Sequence, residues 1–76
     1  SAELANVRRC EFIEGRSSKF WEIAQTDTLL TIRYGRIATA GQTMTKTFDT
    51  AERATRERDK LLGEKLRKGY REVPAA

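Results

Sequence analysis

The stretch TLLTIRYGRI, residues 28–37, sets the fold of this 76-residue chain. Apolar or aromatic side chains recur at every second position, at Leu30, Ile32 and Tyr34, and the residues between them are polar or small. A period of two is typical of a β-strand whose two faces meet different surroundings. The stretch therefore predicts a strand that packs one face on a core.

Three further segments around this stretch are also predicted to be strands, because they are short, rich in β-forming residues and bounded by turn residues. They cover residues 7–14, 19–25 and 43–48. The turns between the four strands are predicted at residues 15–18, 26–27 and 40–42. Turns this short join antiparallel neighbours, so the four strands predict an antiparallel meander.

The hydrophobic period changes after residue 48, which predicts a helix in the last third of the chain. Asp49-Thr50-Ala51-Glu52 is a capping-box pattern, in which the Asp49 carboxylate accepts a hydrogen bond from the third helical N–H and Glu52 reaches back. The helix is predicted to run to about Lys68 and to stop at Gly69, which can take the left-handed conformation.

The remaining residues complete the predicted fold. Residues 70–73 are predicted to form a short extended segment, which is expected to end at Pro74. The whole chain, residues 1–76, is predicted to be a single domain. Its fold class is α+β: an antiparallel β-sheet meander of about four strands, one C-terminal helix packed on one face, and a short final strand.

The predicted helix separates an apolar sector from a basic one. At about 100° per residue, one broad sector collects the apolar residues, which are Ala51, Ala54, Leu61, Leu62 and Leu66. A basic stripe lies almost opposite, within about 60°, and consists of Arg53, Arg56, Lys60 and Arg67. The stripe is either a solvated outer face with i,i+4 pairs or a surface for phosphates.

Arg58 is the exception on this helix, because it projects into the apolar sector. An unpaired buried guanidinium is costly, so Arg58 is expected either to extend to the helix–sheet margin or to meet a carboxylate. Glu22 and Glu72 are its candidate partners.

Two adjacent aromatic residues, Phe20 and Trp21, are predicted to point to opposite faces of their strand. One of them is expected to pack under the helix. The other is expected to face solvent, where it stacks on a base or ribose or simply covers the sheet.

The composition excludes most kinds of chemistry. The chain has no histidine and a single cysteine, Cys10, which is expected to be a small core residue. Soft-metal ligand sets and Ser/His or Cys/His nucleophile pairs therefore cannot form, and no Gly-rich phosphate loop is present. We expect no enzyme, no cofactor, no metal and no small-molecule substrate. An apolar run of about 18 residues is also missing, so we expect a cytoplasmic protein without a membrane partner.

An ordered set of segments resembles the WGR domain family. The segments are KFWEI at 19–23, IRYGRI at 32–37, Gly41-Gln42, KTFD at 46–49, Glu64-Lys65 on the helix, and KGYR at 68–71. The resemblance spans about residues 7–73, which we take as the core of the domain.

The resemblance implies a site on the central strand. WGR domains are named for a Trp-Gly-Arg run, occur in poly(ADP-ribose) polymerases and in small bacterial proteins, and in the polymerases help to read DNA ends. By position, Tyr34 takes the role of the Trp and stacks on a sugar or base. Arg36 contacts phosphate, and Gly35 keeps the strand open for close approach. Ala38 stands where the family often has Gly, so the next turn is expected to differ.

Together these observations predict a non-catalytic module that contacts DNA without sequence preference, at ends or nicks. If it binds DNA, we expect it to be associated with the nucleoid. The net charge of +4 is consistent with such a partner. The alternative is a protein–protein or inter-domain interaction module that uses the same surface. The predicted contact residues are Tyr34, Gly35, Arg36, Arg33, Lys46, Arg53, Arg56 and Lys60.

Overall fold

A computed structural model describes residues 7–74. Its elements follow the predicted order, with bounds within two residues of those expected: β1 Arg8–Glu14, β2 Ser17–Thr26, β3 Leu29–Arg36, β4 Gln42–Thr47, α1 Ala51–Arg67 and β5 Arg71–Val73. The strands form one sheet in the order β4-β3-β2-β1-β5, and every neighbouring pair is antiparallel. The predicted α+β fold class is confirmed.

The core lies between the sheet and the helix. Trp21, Ile23, Leu30 and Ile32 alternate along β2 and β3 on the helix side, and all are buried. Helix α1 contributes its apolar sector, with Ala54 and Leu62 buried and Leu66 left 45% exposed. Cys10 is fully buried on β1, which confirms its prediction as a core residue.

The N-cap of the helix is one residue later than predicted. Thr50, not Asp49, is the N-cap, because its backbone is extended at φ −138° and its hydroxyl accepts from the Arg53 N–H at 3.1 Å. Asp49 instead pairs with the Arg53 guanidinium at 3.3 Å. The C-terminal prediction is confirmed: the helix ends at Arg67, and Gly69 adopts a left-handed φ of 102°.

Phe20 occupies the face of the sheet opposite the helix and is 2% exposed. The guanidinium carbons of Arg9 and Arg33 lie 4.6 and 4.9 Å from its ring centroid and cover it. Trp21 packs under the helix, as expected for one of the two aromatic residues. The expectation that the other would face solvent is wrong, because two arginines from neighbouring strands cover it.

Arg58 meets a carboxylate, although neither of the two expected partners. Its Nε and one terminal nitrogen both donate to Asp59 Oδ1 at 3.2 Å, and its side chain is 23% exposed. Glu22 is already paired with Arg9 and Arg33, and Glu72 with Arg8, so neither is available to Arg58.

The loop between β3 and β4 folds tightly against β3. A Cβ on Gly35 would lie 2.7 Å from the Gly41 Cα, so the loop requires glycine at this position of the strand. Within the loop Ala38 adopts a φ of 74°, the left-handed conformation that glycine takes without steric cost. Gly35 therefore has a packing role that is independent of any ligand.

Candidate functional site

A groove of about 580 Å³ lies between the helix and the end of the sheet. We call it the helix–sheet groove. The first half of β2, the end of β3 and part of β4 form its sheet side, and the C-terminal half of α1 forms its helix side. It exists because the helix covers only part of the sheet. Its lining includes Arg16, Lys19, Trp21, Ile32, Tyr34, Gly35, Arg36, Met44, Lys46, Leu61, Glu64, Lys65 and Tyr70.

Tyr34 and Arg36 share this groove, as their alternation on one strand predicts. The Tyr34 side chain is 39% exposed, and its hydroxyl donates to Gln42 Oε1 at 3.2 Å. Arg36 is exposed, and among residues 7–74 its guanidinium has no carboxylate partner. The aromatic ring and the guanidinium are therefore both accessible to a ligand.

Lys19 is the cross-strand partner of Arg36, directly opposite it on β2. We call Lys19 and Arg36 the like-charged row. Like charges directly opposite each other in a sheet repel and destabilise it. The Lys19 ammonium lies 5.6 Å from the Phe12 ring centroid, and within the described part of the chain it too has no ion pair. The groove thus holds a local excess of positive charge that no carboxylate of residues 7–74 neutralises at these two cations.

Lys65 brings a further cation from the helix to the floor of the groove. Its ammonium lies 5.6 Å from the Trp21 ring centroid and 5.2 Å from that of Tyr70. Burial lowers the pKa of Lys65 below its ordinary value, and repulsion from Lys68 lowers that pKa further. An anion placed beside Lys65 would favour its charged form and relieve both effects.

Lys46, which is one of the predicted contact residues, also lines the groove. Its ammonium lies 3.6 Å from a carboxylate oxygen of Glu57 on the helix. With a side chain that is 40% exposed, this pair is weak. Lys46 can therefore turn toward a ligand at little cost in stability.

Other predicted contact residues lie elsewhere. Arg33 is on the face opposite the helix, where it donates to Glu22 at 2.8 and 3.0 Å and to the Ala40 carbonyl at 3.1 Å. The basic stripe is exposed on the helix, and Arg53, Arg56 and Lys60 do not line the groove. The structure therefore separates the stripe from Tyr34 and Arg36.

Three cations of the groove were not among the predicted contacts: Arg16, Lys19 and Lys65. Lys19 could have been found from the strand register, since the two-residue turn between β2 and β3 aligns it with Arg36. Lys65 gives no such signal, because its position depends on how the helix lies across the sheet.

Within residues 7–74, no group of three or more His, Cys, Asp or Glu side chains could hold a metal ion. The single helix of this part of the chain is too short and too polar to cross a bilayer.

A family model, described as the WGR domain, matches residues 7–76. Two proteins of Escherichia coli (strain K12) are similar in sequence. YfeS is 36% identical over 67 residues, which are 88% of this chain and 28% of YfeS. YehF is 35% identical over 64 residues, which are 84% of this chain and 23% of YehF.

A solved structure is similar as well. The crystal structure of a protein from Bacteroides fragilis superposes with a TM-score of 0.87 at 38% identity, over 90% of this chain and 19% of that one. The chain thus spans less than a third of the length of each of these relatives.

Proposed function

The chain belongs to the WGR domain family, and from this premise we propose that it is a non-catalytic module that binds DNA without sequence preference. The binding surface is the helix–sheet groove, with Tyr34 and Arg36 as its central contacts. The groove carries a cationic lining of Arg16, Lys19, Arg36, Lys46 and Lys65, against the single carboxylate of Glu64. This charge balance favours a polyanion.

The observation that carries the proposal is the like-charged row beside an accessible aromatic ring. Lys19 and Arg36 occupy directly paired positions on β2 and β3, and neither has a carboxylate partner within residues 7–74, although like charges at paired positions destabilise a sheet. A phosphate bound between the two cations removes this repulsion. Tyr34 lies one step further along the same face and would contact the adjoining sugar or base.

The physical character of the contacts argues against base-specific readout. Lysine and arginine contacts to phosphate set the position of a strand but carry no sequence information. Stacking of a base or sugar on an aromatic ring tolerates every base, because all bases have a π-face, and contributes about 1–3 kcal/mol. Affinity should therefore depend on salt far more than on sequence.

The test is the binding of a labelled duplex, measured by fluorescence anisotropy over a range of salt concentrations. Neutralisation of three or four phosphates makes log K fall with log salt at a slope of about −3. Replacement of Arg36→Ala should weaken binding about tenfold and make the slope less steep by about 0.9. The matched control is Arg56→Ala, which removes the same charge from the outside of the helix and should change affinity less than twofold.

Two results would overturn the proposal. The first is an affinity for duplex that does not change with salt. The second is an equal loss in the Arg36→Ala and Arg56→Ala proteins, since binding would then follow net charge and not the groove. A protein partner docked through apolar contacts would instead keep its affinity at high salt.

A further inference from the structure

The helix–sheet groove has more depth and more apolar surface than phosphate binding needs. Its volume of about 580 Å³ falls within the range of sites that enclose a small organic ligand, about 300–1,000 Å³. Between its cations it is lined by Trp21, Ile32, Met44 and Leu61. Met44 is 41% exposed, which leaves its thioether open to a ligand. A surface that only follows a sugar–phosphate chain has no use for such a floor.

We propose that the groove receives one unpaired nucleotide, with its base on the apolar floor and its phosphate on the like-charged row. The inference builds on the proposed function and names the part of the nucleic acid that the groove accepts. The base would lie against Met44 and Leu61, above the edge of Trp21. The sugar would contact Tyr34, and the phosphate would bind between Lys19 and Arg36.

The geometry of a duplex keeps its paired bases away from such a floor. In a duplex the flat faces of the bases are stacked on their neighbours, so only phosphates, sugars and base edges reach a protein surface. An apolar floor inside a groove can be covered only by a base that has left its stack. The cations at the rim alone would bind the phosphates of a duplex and of a single strand equally well. The apolar floor is therefore the feature that favours the single strand.

The charges around the floor agree with this occupant. Lys65 stands at the helix side, with its ammonium over the Trp21 and Tyr70 rings. A base that enters beside it would meet a cation near its π-face, and its phosphate would reach the like-charged row on the strands of the groove. A neutral apolar ligand would use the floor but leave these cations without a partner.

Trp21 provides the probe, because it is the single tryptophan of the chain and lines the groove. Its fluorescence is followed while the protein is titrated with inorganic phosphate, a free nucleoside monophosphate, a short single strand, and a blunt duplex with the same number of phosphates. The single strand should quench Trp21 and bind about fivefold or more tightly than the duplex. Inorganic phosphate should leave the fluorescence unchanged, since it reaches only the rim.

The free nucleotide identifies the source of the ligand. Quenching by the nucleoside monophosphate at the concentrations that suffice for the strand would assign the groove to free nucleotides. Quenching by the strand alone would assign it to nucleic acid. Either result supports the inference that one nucleotide unit enters the groove.

A variant of the floor separates the base from the phosphate. Met44→Thr removes apolar contact without changing the charge and keeps a good β-former on the strand. It should reduce the ratio of single-strand affinity to duplex affinity about threefold or more. Ile13→Thr is the matched control, because Ile13 is also on a strand and 70% exposed but is not part of the groove.

The outcomes keep the two proposals apart. Equal binding of strand and duplex without quenching, or an equal loss of both in the Met44→Thr protein, would overturn this inference and leave DNA binding in place. Binding of neither nucleic acid would overturn the proposed function itself.

Discussion

Two cross-strand rows of the same sheet use the same kinds of side chain in opposite ways. On the face opposite the helix, Arg9, Glu22 and Arg33 lie side by side on β1, β2 and β3, and the carboxylate bridges the two guanidiniums. We call these three residues the matched row. Three residues away along β2, and therefore on the other face, Lys19 and Arg36 form the like-charged row without a carboxylate.

The difference separates charges that hold the fold from charges that are available to a ligand. The matched row also covers Phe20, so its guanidiniums serve as part of a small second core. In the like-charged row the Lys19 ammonium lies over the Phe12 ring, but neither cation has a carboxylate partner within residues 7–74, and both line the groove beside Tyr34. Opposite charges facing each other in a sheet stabilise it, whereas like charges destabilise it. This unmatched pair of cations is the feature on which the proposed binding of DNA phosphate rests.

The largest expected effect comes from the removal of the charge at the centre of the matched row. Glu22→Gln removes the shared carboxylate from Arg9, which is 18% exposed and keeps only its Glu11 pair at 2.9 Å, and leaves Arg33 without an ion pair within residues 7–74. The free energy of unfolding should fall by about 1–3 kcal/mol, less than for a fully buried pair because Arg33 is 39% exposed. Urea unfolding measures this change.

The same variant also tests whether the two rows are independent. Duplex binding by folded Glu22→Gln protein should stay within twofold of the unchanged protein, since Glu22 is on the face opposite the groove. A loss of affinity comparable with that of Arg36→Ala would mean that the matched row belongs to the binding surface.

The fold could be predicted from the sequence because each element carries a local signal. The period of two in residues 28–37 and the glycine at the helix end both act within a few residues. The start of the helix was displaced by one residue because Asp49 and Thr50 are both good caps, and only the extended backbone at Thr50 selects between them.

The sequence predicts the candidate site only for residues that lie on the same strand. Alternation puts Tyr34 and Arg36 on one face, and the structure agrees. The burial of Phe20 was missed because Arg9 and Arg33 belong to other strands and reach it only through the sheet. Whether the helix stripe shares the groove depends on the direction of the helix across the sheet, which no local pattern contains.

A smaller effect, of opposite sign, is expected when the like-charged row is converted into a matched one. Arg36→Glu places a carboxylate opposite Lys19 and should raise the free energy of unfolding by about 0.3–1 kcal/mol. The same change should remove most of the affinity for duplex, because it introduces a negative charge at the phosphate position. Thermal or urea unfolding, together with anisotropy, measures both quantities.

The control for this exchange is Arg56→Glu, which makes the same change of charge on the exposed helix surface. It should give neither the gain in stability nor the full loss of binding. If Arg36→Glu lowers the free energy of unfolding, repulsion between Lys19 and Arg36 does not destabilise the sheet. The main reason to place an anion at this position is then lost.

The smallest effect concerns the exposed ion pair between Arg8 on β1 and Glu72 on β5, which contributes little to stability. Arg8 donates to both carboxylate oxygens of Glu72 at 2.8 and 2.9 Å, and these hydrogen bonds hold the pKa of Glu72 below its ordinary value. A carboxylate with a lowered pKa stabilises the fold at pH values above the ordinary carboxyl pKa, and that contribution disappears as the pH falls through the lowered pKa.

Both side chains of this pair, Arg8 and Glu72, are about 40% exposed, so Glu72→Gln should lower the free energy of unfolding at pH 7 by only about 0.5 kcal/mol or less. The difference between the two proteins should shrink as the pH falls through the lowered pKa of Glu72 and vanish once Glu72 is protonated. A difference that persists in acid would mean that the contact acts through packing and not through charge.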